Sequence, residues 1–190
     1  MKYHFLPALI PFLCALVLTE ASGQQDLQRL KVTKDISMKV PVSFNPMSRS
    51  EMVNKYVAYR QPIAMFTSAD RQIDLGINKN STQWTENDLT ILKDFYKANI
   101  QNLFTEVKFI QEEVKTIGNR EFVVFEFISK VTDEDKTFGG ISSPVSKYTY
   151  IMYTLYQDSV LLFNFSCDTR WRPQWQAAAR EIMESVRINS

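Results

Sequence analysis

The sequence KYTYIMYTLYQDSVLLFNFSC, from Lys147 to Cys167, is dense in β-branched and aromatic residues. Residues of these types favour β-strands. One polar pair, Asp158-Ser159, separates two apolar runs within it. The pattern predicts a long antiparallel hairpin whose two-residue turn is Asp158-Ser159.

The position of this turn fixes the predicted cross-strand pairs. One side of the hairpin would carry the pairs Tyr156 with Leu161, Thr154 with Phe163 and Met152 with Phe165, and the other side Leu155 with Leu162 and Tyr153 with Asn164. Both sides are then largely apolar. A hairpin of this kind is predicted to lie inside a sheet that other layers cover on both faces.

The N-terminal residues MKYHFLPALIPFLCALVLTEASGQQ have the layout of a secretory signal peptide. A lysine precedes an apolar run of residues 5–18, and the small residues Ala21-Ser22-Gly23 follow it. The run is too short to span a bilayer comfortably. We predict a signal peptide at residues 1–23, a single domain at 24–190, and a periplasmic or secreted protein that has no membrane span after processing.

Histidine and cysteine are scarce beyond this leader. The one histidine, His4, and one of the two cysteines, Cys14, lie within it. Cys14 follows the bulky Leu13 inside the apolar run, which disfavours a lipid anchor there. The remaining chain cannot build a Ser/His/Asp triad, a His-ligated zinc site or an internal disulfide. Cys167 is predicted to be a buried apolar residue, and no cofactor and no metal are expected.

The charge is nearly balanced, with 22 Lys and Arg residues against 21 Asp and Glu residues and a net charge of +1. Basic residues are scattered along the chain. This distribution argues against a nucleic acid or an anionic membrane surface as the main partner.

Three helices are predicted. Ser48 and Glu51 have capping-box spacing before the first, and Thr85 and Asp88 have it before the second. The second helix carries an apolar stripe made of Leu89, Leu92, Tyr96, Ile100 and Leu103. The third follows Pro173, which suits a first helical position.

Apolar alternation predicts five strand segments besides the hairpin at residues 147–167. They are 31–44, 63–67, 72–78, 106–117 and 120–131, with residues 79–82 as a loop. Pro41 places the first of them at a sheet edge, because proline donates no backbone hydrogen bond. Gly118-Asn119 is predicted to be the turn between the last two.

The resulting order of elements predicts an α+β fold, a central antiparallel β-sheet covered by helices on both faces. In this order, and in the phrases SRSEMVNKY (48–56), QIDLGIN (72–78) and REFVVFEF (120–127), the chain resembles the PsbP-like fold group and its exported DcrB-like bacterial members. The resemblance covers essentially everything after the leader. It implies an α/β/α sandwich and an accessory, chaperone-like or assembly role rather than catalysis.

Glu126 interrupts a strand that is otherwise apolar on both faces. A buried carboxylate is costly unless it is paired. Glu126 therefore marks a pocket, forms an ion pair with a Lys or Arg of a neighbouring strand, or lies at the rim of the layer, and the last two interpretations are favoured over the pocket.

Acidic residues elsewhere offer weaker sites. Asp133-Glu134-Asp135, in the polar loop 132–145, lacks the glycine and the distal glutamate of a calcium loop, so a solvated turn is favoured. A carboxylate pair for glycoside hydrolysis could come from Asp70, Asp74, Glu112 and Glu113. Nothing in the sequence brings two of these together.

Aromatic residues could line a carbohydrate or peptide groove, and the members of this set are Tyr148, Tyr150, Tyr153, Tyr156, Trp171 and Trp175. The corner between the hairpin and the last helix has the Arg and Trp content of a binding hot spot, but docking of the helix is the favoured interpretation of its tryptophans. The candidate binding residues are Glu126, Tyr153, Asn164, Arg170, Trp171, Arg172 and Trp175.

The favoured function is an exported non-catalytic binding or accessory protein whose partner is an envelope protein or an extracellular component. One alternative is a hydrolase acting on carbohydrate or peptidoglycan, which needs two carboxylates within about 10 Å across a cleft. Another is a small-molecule carrier, which needs a closed apolar cavity of about 300 Å³ or more.

Overall fold

The structure is a computed structural model that describes residues 25–55, 61–81, 84–85, 88–131 and 145–189. The described strands are β1 Leu27–Lys31, β2 Ile36–Pro41, β3 Asn45–Pro46, β4 Ala64–Thr67, β5 Ile73–Ser81, β6 Glu106–Ile117, β7 Arg120–Val131, β8 Val145–Leu155, β9 Ser159–Asp168 and β10 Arg187–Ile188. The described helices are α1 Arg49–Lys55, α2 Leu89–Leu103 and α3 Arg172–Glu184.

Seven strands form a central antiparallel sheet in the order β3-β4-β5-β9-β8-β7-β6. The hairpin β8–β9 lies in the middle of it, as the apolar character of both its sides predicts. A second sheet has the order β1-β2-β10. None of the helices in the described ranges has the length and apolar character needed to cross a membrane.

Both faces of the central sheet carry an apolar core, which confirms the predicted fold class. On one face, which we call the α3 face, the side chains pack against α3 and β2. Trp175 of α3 lies there, with its ring centroid 5.9 Å from that of Phe165. On the opposite face, which we call the groove face, the side chains pack against α2.

The turn of the β8–β9 hairpin lies one residue earlier than predicted. Gln157 and Asp158 have φ values of 49° and 52°, and the backbone N–H of Tyr156 donates to the Ser159 carbonyl at 2.8 Å. A two-residue hairpin turn of this type needs positive φ at both central positions.

This correction changes every predicted cross-strand partner but no predicted face. Thr154 pairs with Leu161 and Tyr153 with Leu162, each two residues from the expected partner. Because side chains alternate with a period of two, a shift of two residues returns each one to the same face.

The strand that contains Pro41 lies between β1 and β10 and not at a sheet edge, so that prediction is wrong. Among the described strands, β2 nevertheless has no neighbour on this side beyond Ser37, because β10 pairs only with Ile36 and Ser37. Beyond them, the Lys39 N–H donates to Ser185 Oγ at 2.7 Å. Pro41 lies two residues further along, where β10 does not pair.

The end of β5 differs from the sequence prediction, whereas the start of α1 agrees with it. Residues 79–81 belong to β5 and pair with β9, so the loop predicted at 79–82 is wrong there. The capping box before α1 forms, since Ser48 N donates to Glu51 Oε2 at 2.7 Å and Glu51 N to Ser48 Oγ at 3.3 Å. The rest of this predicted helix, residues 56–60, lies outside the described residues.

Candidate binding groove

Helix α2 covers only part of the groove face. Its buried residues are Leu92 and Ile100, and between them Tyr96 stacks on Tyr153 with ring centroids 3.8 Å apart. These positions follow the helical spacing of four residues. Leu103, predicted to continue the stripe, has 72 % of its surface exposed, because the helix ends there and the chain becomes extended at Phe104.

Beyond the end of α2, the part of the sheet that no described helix covers forms a groove of about 460 Å³ that is open to solvent. Its described lining residues are Pro62, Met65, Gly76, Asn78, Ile100, Leu103, Phe104, Phe127, Ser129, Lys147, Thr149, Ile151, Tyr153, Leu162, Asn164 and Ser166. The volume is within the range of small-ligand sites. No carboxylate is present among these described residues.

Gly76 shapes the floor of the groove. It is the register partner of both Met65 on β4 and Asn164 on β9. A Cβ atom at Gly76 would lie 2.6 Å from Met65 Sδ, closer than van der Waals contact allows. The absence of a side chain lets the Met65 thioether lie across this position.

The polarity of the floor changes along β8. Lys147 and Thr149 come first, followed by Ile151 and Tyr153, and all four side chains point into the groove. Tyr153 is almost fully buried, and this burial raises its pKa above the ordinary tyrosine value. One end of the groove is therefore cationic and hydroxylic, and towards α2 the β8 floor is apolar, with one asparagine of β9 and one of β5 beside it.

Two of the candidate binding residues, Tyr153 and Asn164, meet in this groove, although they are not the register partners that the sequence predicted. The remaining candidates are not among its described lining residues. Sequence reasoning missed Lys147, Thr149 and Ser166. These polar residues alternate with buried ones along their strands, and this alternation indicates that they share one face of the sheet. Whether that face is open can be judged only when the end of α2 is known.

Glu126 lies on the α3 face and is fully buried. Its Oε2 accepts from the Arg180 guanidinium, with Nη2 at 2.8 Å and Nε at 2.9 Å. Oε1 accepts from Gln176 Nε2 and from the Tyr148 hydroxyl, the latter at 3.1 Å. Burial, with the Glu126 charge as a second cause, raises the pKa of Tyr148.

The ion pair expected for Glu126 therefore exists, but its partner is on α3 and not on a neighbouring strand. Arg180 reaches the carboxylate while 45 % of its own side chain stays exposed. Four donor groups occupy the two carboxylate oxygens, and this arrangement fastens the helix to the sheet.

The predicted Arg and Trp corner is built by a single 3-10 turn, Thr169–Trp171, and the start of α3. Trp175 points into the core, and its ring lies 5.3 Å from that of Phe44. The Arg170 guanidinium lies 5.8 Å from the Trp171 ring, and Arg172 Nε donates to Gln176 at 3.1 Å. The Trp175 ring docks the helix on the core, whereas the two arginine contacts are local to the turn and to the helix.

Two of the carboxylates considered for hydrolysis lie far apart, and a lysine binds each of them. Asp74 is on β5 and Glu112 on β6, with three strands between them, a separation of about 19 Å at normal strand spacing. Lys55 binds Asp74 at 2.8 Å, and Lys97 binds Glu112 at 2.8 Å and lowers its pKa. The predicted acidic turn Asp133-Glu134-Asp135 lies outside the described residues.

No protein family matches the chain, and no curated protein matches it. Solved structures do. PsbP (CyanoP) of the cyanobacterium Synechocystis sp. PCC 6803 has a TM-score of 0.60 at 13% identity, covering 88% of this chain and 95% of that one. The chain has the PsbP-like fold.

Two other structures share the PsbP-like fold with this chain at similar identity. The Ran-binding protein Mog1p of Saccharomyces cerevisiae has a TM-score of 0.57 at 9% identity, covering 87% of this chain and 96% of that one. LpqN of Mycobacterium tuberculosis is described as involved in cell envelope biogenesis. It has a TM-score of 0.54 at 12% identity, covering 87% of this chain and 91% of that one. At these identities the likeness gives the fold alone.

Proposed function

We propose that this chain is an exported, non-catalytic binding or accessory protein and that the groove is its binding surface. One observation carries the proposal: beyond α2 no described residue covers part of the groove face, which forms a groove of about 460 Å³. A concave site with apolar walls and a few polar groups is the usual form of a binding site.

The carboxylate hydrolase is not supported by the described residues. The groove has no carboxylate among them, and Asp74 and Glu112, which lie on separate strands, are bound by lysines of α1 and α2. Acid catalysis of glycoside hydrolysis needs two carboxyl groups facing one bond. The small-molecule carrier is not supported in the form predicted from the sequence. That prediction requires a closed cavity, and the groove is open to solvent.

Export is part of the same proposal. It rests on the lysine, apolar run and small residues of positions 1–23, which lie outside the described residues. LpqN, which shares the fold, is described as involved in cell envelope biogenesis, and this supports an envelope location by analogy. N-terminal sequencing of the protein from its own cells tests it, and a mature chain starting at Met1 would refute it.

Site-specific photocrosslinking tests the groove. A benzophenone amino acid is placed at Leu103, on the groove rim, and as a control at Gln28, an exposed residue of β1. Irradiation of the producing cells should give a discrete adduct only from Leu103. The added mass distinguishes a protein partner from a small ligand. Equal adducts from both positions, or none from Leu103, would contradict the proposal.

A further inference from the structure

We infer that the groove binds a single-chain amphiphile, with an anionic head group at Lys147 and its apolar chain directed towards the end of α2. This inference rests on the proposed function, since it assumes that the groove is the binding surface. It adds the chemical class and the orientation of the ligand.

Four unengaged polar groups form the head-group end. Lys147 is the register partner of Ser129, and Thr149 is the register partner of Ser166. Directly opposed side chains have Cβ atoms about 5 Å apart, so the two pairs form a compact cluster on adjacent rows of the sheet. An ammonium group and three hydroxyls together are donors suited to a carboxylate or a phosphate.

Within the described part of the chain, the Lys147 ammonium forms no ion pair, and the hydroxyls of Ser129, Thr149 and Ser166 form no hydrogen bond. Asp168 faces Lys147 across the strands, but its Oδ1 is engaged by the turn that follows. It caps the following turn by accepting from the Arg170 N–H at 3.0 Å, and the Arg170 guanidinium lies 3.5 Å from it. The cluster keeps its donors for a ligand.

The other end of the groove suits an apolar chain. Ile151 and Leu162 are half-buried on the floor, Tyr153 lies beneath Tyr96, and Ile100 closes the end at the helix. From Lys147 to Tyr153 the floor extends for about 20 Å at the rise of a β-strand. A head group and a medium-length acyl chain fit this polarity and this length.

An extended peptide fits less well. The floor strands β5, β9, β8 and β7 each have a strand on both sides, so their backbone groups are already used by the sheet. A peptide in the groove could not add to a sheet edge, and its own N–H and C=O groups would lose water without backbone partners. An acyl chain carries no such groups.

Calorimetric titration tests the inference with the protein as its cell produces it. The probes are dodecanoate and dodecan-1-ol, both below their aggregation limits. Lys147→Met removes the charge, and Lys31→Met, at an exposed position of β1 in the other sheet, is the control. We expect one dodecanoate per chain, bound about fivefold more tightly than the alcohol, which is the effect of one partly exposed ion pair. Lys147→Met should abolish this preference and Lys31→Met should keep it.

Three results would overturn the inference. They are equal binding of acid and alcohol, a preference that survives Lys147→Met, and binding only to phosphatidylglycerol vesicles without binding of monomeric dodecanoate. If dodecanoate fails to bind while the Leu103 photoadduct still forms, the ligand class is wrong and the proposed function stands. If neither forms, both are wrong.

Discussion

The two faces of the central sheet are built from the same strands but differ in how they are covered. On the α3 face, helix and second sheet leave Phe165, Tyr148 and Tyr150 fully buried. On the groove face, α2 ends early. It leaves Asn164 and Ser166, the chain neighbours of Phe165, partly exposed. Adjacent residues of one strand therefore belong to different environments.

This difference assigns most of the stability to the α3 face and the proposed binding to the groove face. The α3 face uses its one described buried carboxylate to fasten a helix, through Glu126 and Arg180. The groove face keeps an ammonium and three hydroxyls without described partners. A domain needs one well-covered face to fold, and the other can then be shaped for a ligand. Substitutions at neighbouring positions test this division.

The largest difference is expected between Phe165 and its neighbour Asn164. Phe165→Ala should lower the free energy of unfolding by about 3–5 kcal/mol, because it removes a fully buried ring and leaves a cavity. Asn164→Ala should lower it by less than about 1 kcal/mol, since its side chain lies in the open groove. Urea melts of both variants measure this, and similar losses would abolish the distinction between the faces.

The buried ion pair on the α3 face should matter more than an exposed one on the same helix. Glu126→Gln should destabilise the protein by about 2–3 kcal/mol, because the Arg180 guanidinium loses its countercharge while the amide keeps the shape. The control is Glu181→Gln, which breaks the exposed pair with Lys39 and should cost less than about 0.5 kcal/mol. An unchanged denaturant midpoint for Glu126→Gln would mean that the carboxylate is not a fastening group.

Thiol reactivity should report the same contrast between adjacent residues. Burial raises the pKa of Cys167 to about 12, so at pH 8 it is a protonated, inaccessible thiol. A cysteine introduced by Ser166→Cys faces the groove and should titrate near the ordinary value of about 8.5. Alkylation followed by mass spectrometry should show Cys167 reacting at least about tenfold more slowly. Equal rates in the native protein would refute the assignment of faces.

The smallest effect concerns the turn that aligns both faces. Gln157→Asn with Asp158→Gly should stabilise the protein by about 0.5–1 kcal/mol, because both positions have positive φ and Asn-Gly suits them. The matched control places Asn-Gly one residue later, with Asp158→Asn and Ser159→Gly, at the position that the sequence predicted. If that control were the more stable variant in thermal melts, a turn at Gln157-Asp158 would be incorrect.

Much of the fold follows from local pattern, and the remainder depends on packing. Alternation places Tyr153 and Phe165 on opposite faces whichever residue begins the turn. The turn itself was missed because Gln157-Asp158 contains no glycine to mark its positive φ values. The strand β10 pairs at only two positions, too few for a sequence signal.

The groove could be predicted only in part. Tyr153 and Asn164 were chosen from the hairpin, and both line it. The groove exists because α2 leaves the sheet at Leu103. In the sequence, the apolar Leu103 extends the helical stripe and so predicts that the helix still covers the sheet there. The partner of Glu126 was likewise out of reach, since Arg180 lies 54 residues away on a helix.

We propose that the groove binds a ligand and contributes little to stability. Asn164→Trp tests it most directly, because the indole would fill the groove floor without touching the α3 face. Crosslinking from Leu103 and a urea melt are measured on this variant. The account predicts that the Leu103 adduct falls at least about tenfold while the midpoint of unfolding is unchanged. An adduct that persists, from a protein whose stability is intact, would contradict it.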